Sequence, residues 1–419
     1  MRERTGILQN IDWITVILFL AIAVIGWINI YAAVYNEEHR SIFDFSQRYG
    51  KQLIWIFAAI LIAFVIVVID ANFFSTFAYL IYAISIVSLV AVLAFGTEIA
   101  GSKSWFQIGG LAIQPAEFAK FATCLALAKY LSTFNVSLKR IRTKILASAI
   151  ILFPAFLILL QNDTGSALVY VIFILVLFRE GLTGNILVIG LAVAVLFVVS
   201  LLVNKLYILG FLLLVAIAIF YYMKRNARNI ATLIAMLVIA SGFVYSVDYT
   251  FENVLEPHHK QRIDVLLGKE LDLHGAGYNV HQSKIAIGSG GFFGKGFLKG
   301  TQTKYDFVPE QDTDFIFCTI GEEWGYLGSF ILIALYMALL LRLVKLAERQ
   351  RSDFSRIYGY GVASILFFHF TVNIGMTIGL LPVIGIPLPM ISYGGSSLWA
   401  FTILIFIFVR QDAYRLQML

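Results

Sequence analysis

Twelve apolar runs, separated by short polar segments, decide what this chain can fold into. They lie at residues 11–31, 53–69, 74–95, 115–134, 145–160, 165–178, 186–203, 206–222, 230–247, 316–341, 358–380 and 398–409. Most approach the roughly 20 residues that a helix needs to cross a hydrocarbon core. Inside that core every backbone amide must pair within its own segment, which leaves helices or closed barrels. A barrel would alternate apolar and polar residues, and these runs do not. The expected fold is therefore an all-α polytopic membrane protein with about 12 transmembrane helices. Composition agrees. Only 13% of residues are charged, about half the ~25% of a soluble domain, too few to cover a water-facing surface.

Lysine and arginine set the orientation. With the N-terminus inside, seventeen of them fall on one side, while the short loops opposite hold only Arg40, Arg48, Lys51, Lys103 and Lys205. Positive loops stay in the cytoplasm, so both termini are expected there. The formal net charge of +6 comes from these clusters. It reads as membrane topology, and no nucleic acid partner is expected. Cys124 and Cys318 sit in apolar or membrane-edge context, which argues against a disulfide framework or a cysteine zinc site. The first apolar run is too long for the core of a cleavable signal.

One segment breaks the rhythm. Residues 248–315 form a large, polar, glycine-rich loop, expected on the outer face. Loops of this length are usually functional or disordered. Val280, Ile285, Ile287, Phe292 and Phe293 within it predict re-entrant or interfacial pieces packed against the bundle. Asp272 stands beside Gly275 and Gly277, where backbone can approach a ligand closely. The stretch from Gly288 to Gly296 invites a phosphate-loop reading and fails it. Ser289 stands where the first Walker glycine belongs, and Gly296 where Ser or Thr belongs. What remains is a turn with lysines, suited to anionic groups but unspecific. No set of histidines suggests a metal site.

Charged residues at membrane depth are costly and are functional candidates by default. Glu117 and Lys120 are three apart and share a helix face, as a ligand site or as a structural ion pair. Glu322 and Glu323 are expected near the positive start of a helix. Asp163 is expected to cap the helix after it. Pro382, Pro387 and Pro389 mark an irregular turn before Gly394 and Gly395. Backbone of that kind must line a cavity or be buried in protein.

These motifs together resemble a known family. Gly101-Ser102-Lys103-Ser104-Trp105, Gln114-Pro115-Ala116-Glu117-Phe118-Ala119-Lys120, Gln161 to Gly165, Gly275 to Tyr278, Ile287 to Gly291, Lys295-Gly296, Gly300-Thr301-Gln302, Thr313-Asp314-Phe315, Asn373-Ile374-Gly375-Met376 and Ser392 to Ser397 follow one another in order. The chain resembles the shape, elongation, division and sporulation (SEDS) family of peptidoglycan glycosyltransferases, in its RodA branch rather than its FtsW branch. The pattern departs from the family at Ser104, where arginine is frequent, at Ala116, where serine is, and at Leu273, where proline is. The resemblance covers essentially the whole chain as a single domain, 1–419. It implies a core of ten spanning helices, with 206–222 and 230–247 as the extra pair.

The resemblance further implies polymerisation of lipid II, the undecaprenyl-diphosphate-linked disaccharide pentapeptide, into glycan strands during elongation and cell-shape maintenance, by an inverting reaction in the bacterial inner (plasma) membrane. Asp272 then occupies the general-base position. Lys103, Trp105, Glu117, Lys120 and Arg262 are the substrate-binding candidates, with Glu117 orienting Lys120 or a divalent cation (Mg2+ or Mn2+). Metal ligands are not identifiable from the motifs. Besides lipid II and membrane lipids, a class B penicillin-binding protein transpeptidase is the implied partner. A lipid II flippase is the alternative function, and a scaffold for the transpeptidase a third. The acid-bearing outer loop favours surface chemistry over a flippase, and polymerisation of purified lipid II separates all three.

Overall fold

In the computed structural model, residues 10–36, 41–99, 101–109, 111–134, 136–253, 260, 276–305 and 307–415 are described. Every apolar run is helical there. In chain order the elements are α1 (Trp13–Ala33), α2 (Arg48–Val68), α3 (Ala71–Thr76), α4 (Ala78–Phe95), α5 (Pro115–Leu131), α6 (Ile141–Leu159), α7 (Thr164–Leu168) and α8 (Phe173–Arg179). A short hairpin sheet, β1 (Thr97–Ile99), β2 (Ser102–Ile108) and β3 (Leu111–Ile113), joins α4 to α5. Then follow α9 (Gly184–Leu202), α10 (Lys205–Tyr222), α11 (Ala227–Asn253), α12 (Ala276–Ser289), α13 (Thr301–Lys304), α14 (Ile316–Glu348), α15 (Asp353–Thr377) and α16 (Gly395–Tyr414).

Among the described residues, ten helices are long and apolar enough to cross a membrane. The other two apolar runs form shorter pieces. α5 has 17 residues, and α7 and α8 are joined through the 3-10 turn Val169–Ile172. The predicted loop start at 248 shifts, because α11 continues to Asn253.

The chain divides into two units. The larger comprises residues 1–182 and 278–419 and the smaller 183–277. In the larger unit α15 and α16 are central, with 78% and 83% of their most apolar windows buried. α5 packs against both and against α4. Its buried Ala116, Ala119, Ala122, Ala126 and Ala128 let neighbouring backbones come close, the usual way membrane helices gain packing. A Cβ on Gly361 of α15 would lie 2.1 Å from Cys124 Sγ of α5, so a larger residue at that crossing would force the buried cysteine to move. Both cysteines are free and buried. The smaller unit is α9, α10 and α11 packed on one another. These helices are apolar all round, as lipid-facing helices are.

The outer-loop expectation of packed pieces holds for α12. Ala286 is buried with Val308, Phe315 and Cys318, and Val280 and Ile287 pack on them. The helix role expected for Glu322 and Glu323 needs correction. α14 starts at Ile316, so the two acids lie in its second turn and do not sit at its start. Gly325 then takes a non-helical conformation (φ 64°, ψ −156°) and breaks the helix just after them.

A break at membrane depth frees backbone groups that must find partners. The glycine-rich loop supplies them. Lys295 N–H donates to Glu322 O and Gly296 N–H to Glu323 O, each at 3.0 Å; Tyr326 N–H donates to Gly291 O at 2.9 Å and Leu327 N–H to Phe292 O at 3.1 Å. The loop runs so close that a Cβ on Gly294 (φ 79°) would lie 2.1 Å from Glu323 O. That is why the motif is rich in glycine while failing the phosphate-loop pattern.

Candidate functional site

The hairpin presents two of the predicted binding residues. Lys103 is exposed and Trp105 half-buried on β2. Residues two apart on a strand share a face, so both side chains point the same way, while Ser104 turns inward. Ser104 is fully buried, its hydroxyl 2.5 Å from that of Ser102. The site of the family arginine is thus filled by a small internal hydrogen bond, leaving Lys103 as the cation of this strand.

Backbone and side-chain bonds tie the scattered motifs to one corner. Lys103 N–H donates to Gln161 O at 3.1 Å. Asp163 caps α7 as expected, accepting from Ser166 N–H at 3.0 Å, and its second oxygen accepts from Gln114 Nε2 at 2.7 Å. Gln114 N–H in turn donates to Ser396 Oγ at 3.3 Å, and that hydroxyl donates to Ala112 O at 2.9 Å. Strand β2, the start of α5, the cap of α7 and the start of α16 therefore meet at one place.

Just beneath, in the first two turns of α5, lies the charged pair. Lys120 Nζ donates to Glu117 Oε1 at 2.7 Å, and both side chains are at most 3% exposed. His369 of α15, which the sequence did not single out, completes the group at 3.1 Å from Lys120 Nζ. The ammonium also lies 5.2 Å from the Phe401 ring centroid, near enough for a cation–π contribution. Among the described residues Glu117 Oε2 is buried without a hydrogen-bond partner.

The later part of the turn after α15, from Ile386 to Ser392, is largely buried in protein, one of the two outcomes its prolines allow. Asn373 Nδ2 donates to Asp314 O at 2.8 Å and to Ile386 O at 2.7 Å. Ser392 Oγ donates to Thr313 O at 2.6 Å. Beside it, Arg48 holds Asp312 with bonds of 2.8 Å to both carboxylate oxygens. No local pattern marks this pair, whose members are far apart in the chain. Burial pushes the Asp312 carboxyl above its ordinary range, and Arg48 only partly offsets this.

Two of the predicted residues, Asp272 and Arg262, lie outside the described residues, as do Asp264 and Glu270. Among the described residues no three His, Cys, Asp or Glu side chains converge to hold the Mg2+ or Mn2+ that the resemblance allows. An ion of that type binds largely through substrate phosphates and waters.

A family model described as "Cell cycle protein", covering FtsW, RodA and SpoVE, matches residues 12–212 and 192–416. This chain belongs to that family. The two matches overlap on 192–212, across the end of α9 and the start of α10. Among its FtsW/RodA/SpoVE relatives, "Peptidoglycan glycosyltransferase RodA" of Treponema pallidum (strain Nichols) is 33% identical over 415 residues, 93% of this chain and 95% of the relative. "Peptidoglycan glycosyltransferase MrdB" of Escherichia coli (strain K12) is 37% identical over 319 residues, 76% and 73% respectively. Solved structures agree. A chain described under "Structural coordination of polymerization and crosslinking by a peptidoglycan synthase complex" matches at TM-score 0.71 and 29% identity, covering 97% of this chain and 99% of that one. The crystal structure of Thermus thermophilus RodA matches at TM-score 0.63 and 26% identity, covering 97% of each. The chain is thus a RodA-like family member and a multi-pass membrane protein.

Proposed function

We propose that this RodA-like peptidoglycan glycosyltransferase polymerises lipid II at the outer face of the membrane, with Asp272 as its general base. The glycosyltransferase activity in cell elongation follows from family membership. The observation that supports this location is the corner where Lys103, Gln114, Asp163 and Ser396 meet above the buried Glu117–Lys120 pair.

The chemistry needs little more than one base and well-placed cations. An acceptor 4-hydroxyl is a poor nucleophile until its proton is removed, which a positioned carboxylate does as the bond forms. Asp272 takes that proton. The hydroxyl oxygen bonds to the anomeric carbon, and the bond from that carbon to the lipid diphosphate breaks. The electron pair leaves on the diphosphate, so the anomeric centre inverts. The diphosphate needs no protonation, and cations aimed at its growing charge lower the barrier. Lys103, Lys120 and Arg262 take this role, with Trp105 against the sugar and Glu117 orienting Lys120.

The decisive experiment assays the purified chain on purified lipid II, alone and with its partner. Asp272→Ala and Asp272→Asn lower the rate by ~10²–10⁴-fold, while Asp264→Ala and Glu270→Ala do not. Near wild-type rates from the Asp272 variants at equal expression would overturn the base assignment.

Both termini lie on the cytoplasmic side of the inner membrane, on the lysine and arginine asymmetry. The partner is a class B penicillin-binding protein that cross-links the new strands. One structural relative comes from a complex coordinating polymerization and crosslinking. Failure to co-purify with this chain, even after cross-linking in the membrane, would remove that partner.

A further inference from the structure

We propose that His369 is a positioning residue, which as a neutral ring holds the Lys120 ammonium in place between Glu117 and the outer turn. The inference rests on the proposed role of Lys120 at the departing diphosphate.

The hydrogen bonds fix the state of the ring. His369 Nδ1 lies 3.2 Å from Pro387 O. A carbonyl oxygen only accepts, so Nδ1 carries the proton. His369 Nε2 lies 3.1 Å from Lys120 Nζ. An ammonium only donates, so Nε2 offers its lone pair. Both nitrogens are then used with the ring uncharged, and the pair beside it stays electrically balanced. The ring is held further by Phe401, edge-to-face at a centroid distance of 4.9 Å. It is 1% exposed.

What this does for Lys120 follows from its side chain. A lysine is a point charge on a flexible four-carbon stem. A single bond to Glu117, three residues away on the same helix, leaves that stem room to swing. The second bond comes from α15, through a ring anchored to the Pro387 turn. That turn is itself held to the start of α14, because Asn373 binds both Ile386 O and Asp314 O. His369 thereby sets where the charge sits relative to the outer segments. Electrostatic help in a reaction depends on such fixed placement, and a shift of about 1 Å in a positioned group costs up to about a hundredfold in rate.

The two ring nitrogens can be removed separately. Glutamine places an oxygen where Nε2 was and keeps the Lys120 bond. Asparagine places an amide nitrogen where Nδ1 was and keeps only the Pro387 bond. Leucine keeps neither. On purified lipid II, His369→Gln is expected to stay within about threefold of wild-type kcat. His369→Asn and His369→Leu should lose about tenfold or more in kcat with KM little changed. In a Lys120→Met background, His369→Asn should add no further loss. Each rate is read at a temperature where the melting curve shows that variant folded.

A glutamine variant as slow as the asparagine one, an asparagine variant as fast as wild type, or a full further loss in the Lys120→Met background would each overturn the proposal. The glutamine result decides it even if the other two variants fold poorly, since glutamine keeps the bond from α15 to Lys120 and a tenfold loss despite that bond would place the effect elsewhere. Failure of the wild-type chain to polymerise, or normal polymerisation by Asp272→Ala, would instead count against the proposed function, whatever His369 does.

Discussion

Glu322 accepts a 2.7 Å hydrogen bond from Lys295 while its own side chain is wholly buried. The carboxylate also receives the backbone N–H groups of Thr301 at 2.8 Å, Gln302 at 2.9 Å and Thr303 at 3.0 Å, and the Thr303 hydroxyl at 3.0 Å. One acid in a broken helix thus holds the Lys295-Gly296 and Gly300-Thr301-Gln302 motifs in place. Those motifs lead to Gln311, whose Nε2 donates to Thr303 O and Ala33 O at 2.8 Å each.

Removing Glu322 leaves three backbone donors and a lysine without their acceptor. Glu322→Ala should therefore destabilise the protein by ~3–5 kcal/mol, the usual cost of breaking a buried ion pair on one side. Glu322→Gln keeps one acceptor oxygen and should lose less. Thermal unfolding in detergent tests this, and an alanine variant that melts with the wild type would show the cradle to be incidental.

The Glu117–Lys120 pair separates stability from chemistry. Lys120→Met strands a buried carboxylate and should cost ~3–5 kcal/mol, whereas replacing both residues by methionine should recover most of that. If the pair serves the reaction, the double variant keeps the rate loss of Lys120→Met although folded. Polymerisation near the wild-type rate by the double variant would make the pair purely structural.

Acid pH should loosen the start of α1. Burial raises the Asp12 pKa, but hydrogen bonds from Arg342 and Thr15 outweigh it and hold the group at about 2, below its ordinary 3.8. A depressed acid stabilises the fold above its unfolded value and loses that contribution as pH falls toward its folded value. The melting temperature should drop between about pH 4 and pH 2. Asp12→Asn still caps α1 but should show a shallower drop in that window. Parallel curves for the two proteins would exclude Asp12 as the titrating group.

Topology is directly measurable. Reporters fused after Lys144, Arg228 and Arg356 should read cytoplasmic and one at Lys295 external. An external signal at Arg228 together with a cytoplasmic one at Lys205 would break the twelve-helix path.

Sequence alone determined where the helices are, because hydrocarbon leaves the backbone of an apolar run no other way to pair. It also marked Glu117 and Lys120 as charged groups in a costly place and Asp163 as a helix cap, while motifs that keep their order brought in Lys103 and placed the chain in its family. Tertiary structure decided what those groups touch. His369 reaches Lys120 from 249 residues away and Arg48 reaches Asp312 from 264. Glu322, expected to serve its own helix end, instead binds a loop that precedes it. Local periodicity fixes which side chains share a helix face. Which face meets which neighbour depends on how small residues such as Gly361 let particular helices approach. A buried polar atom must bond to whatever that packing brings within about 3 Å, and no local pattern in the chain encodes that choice.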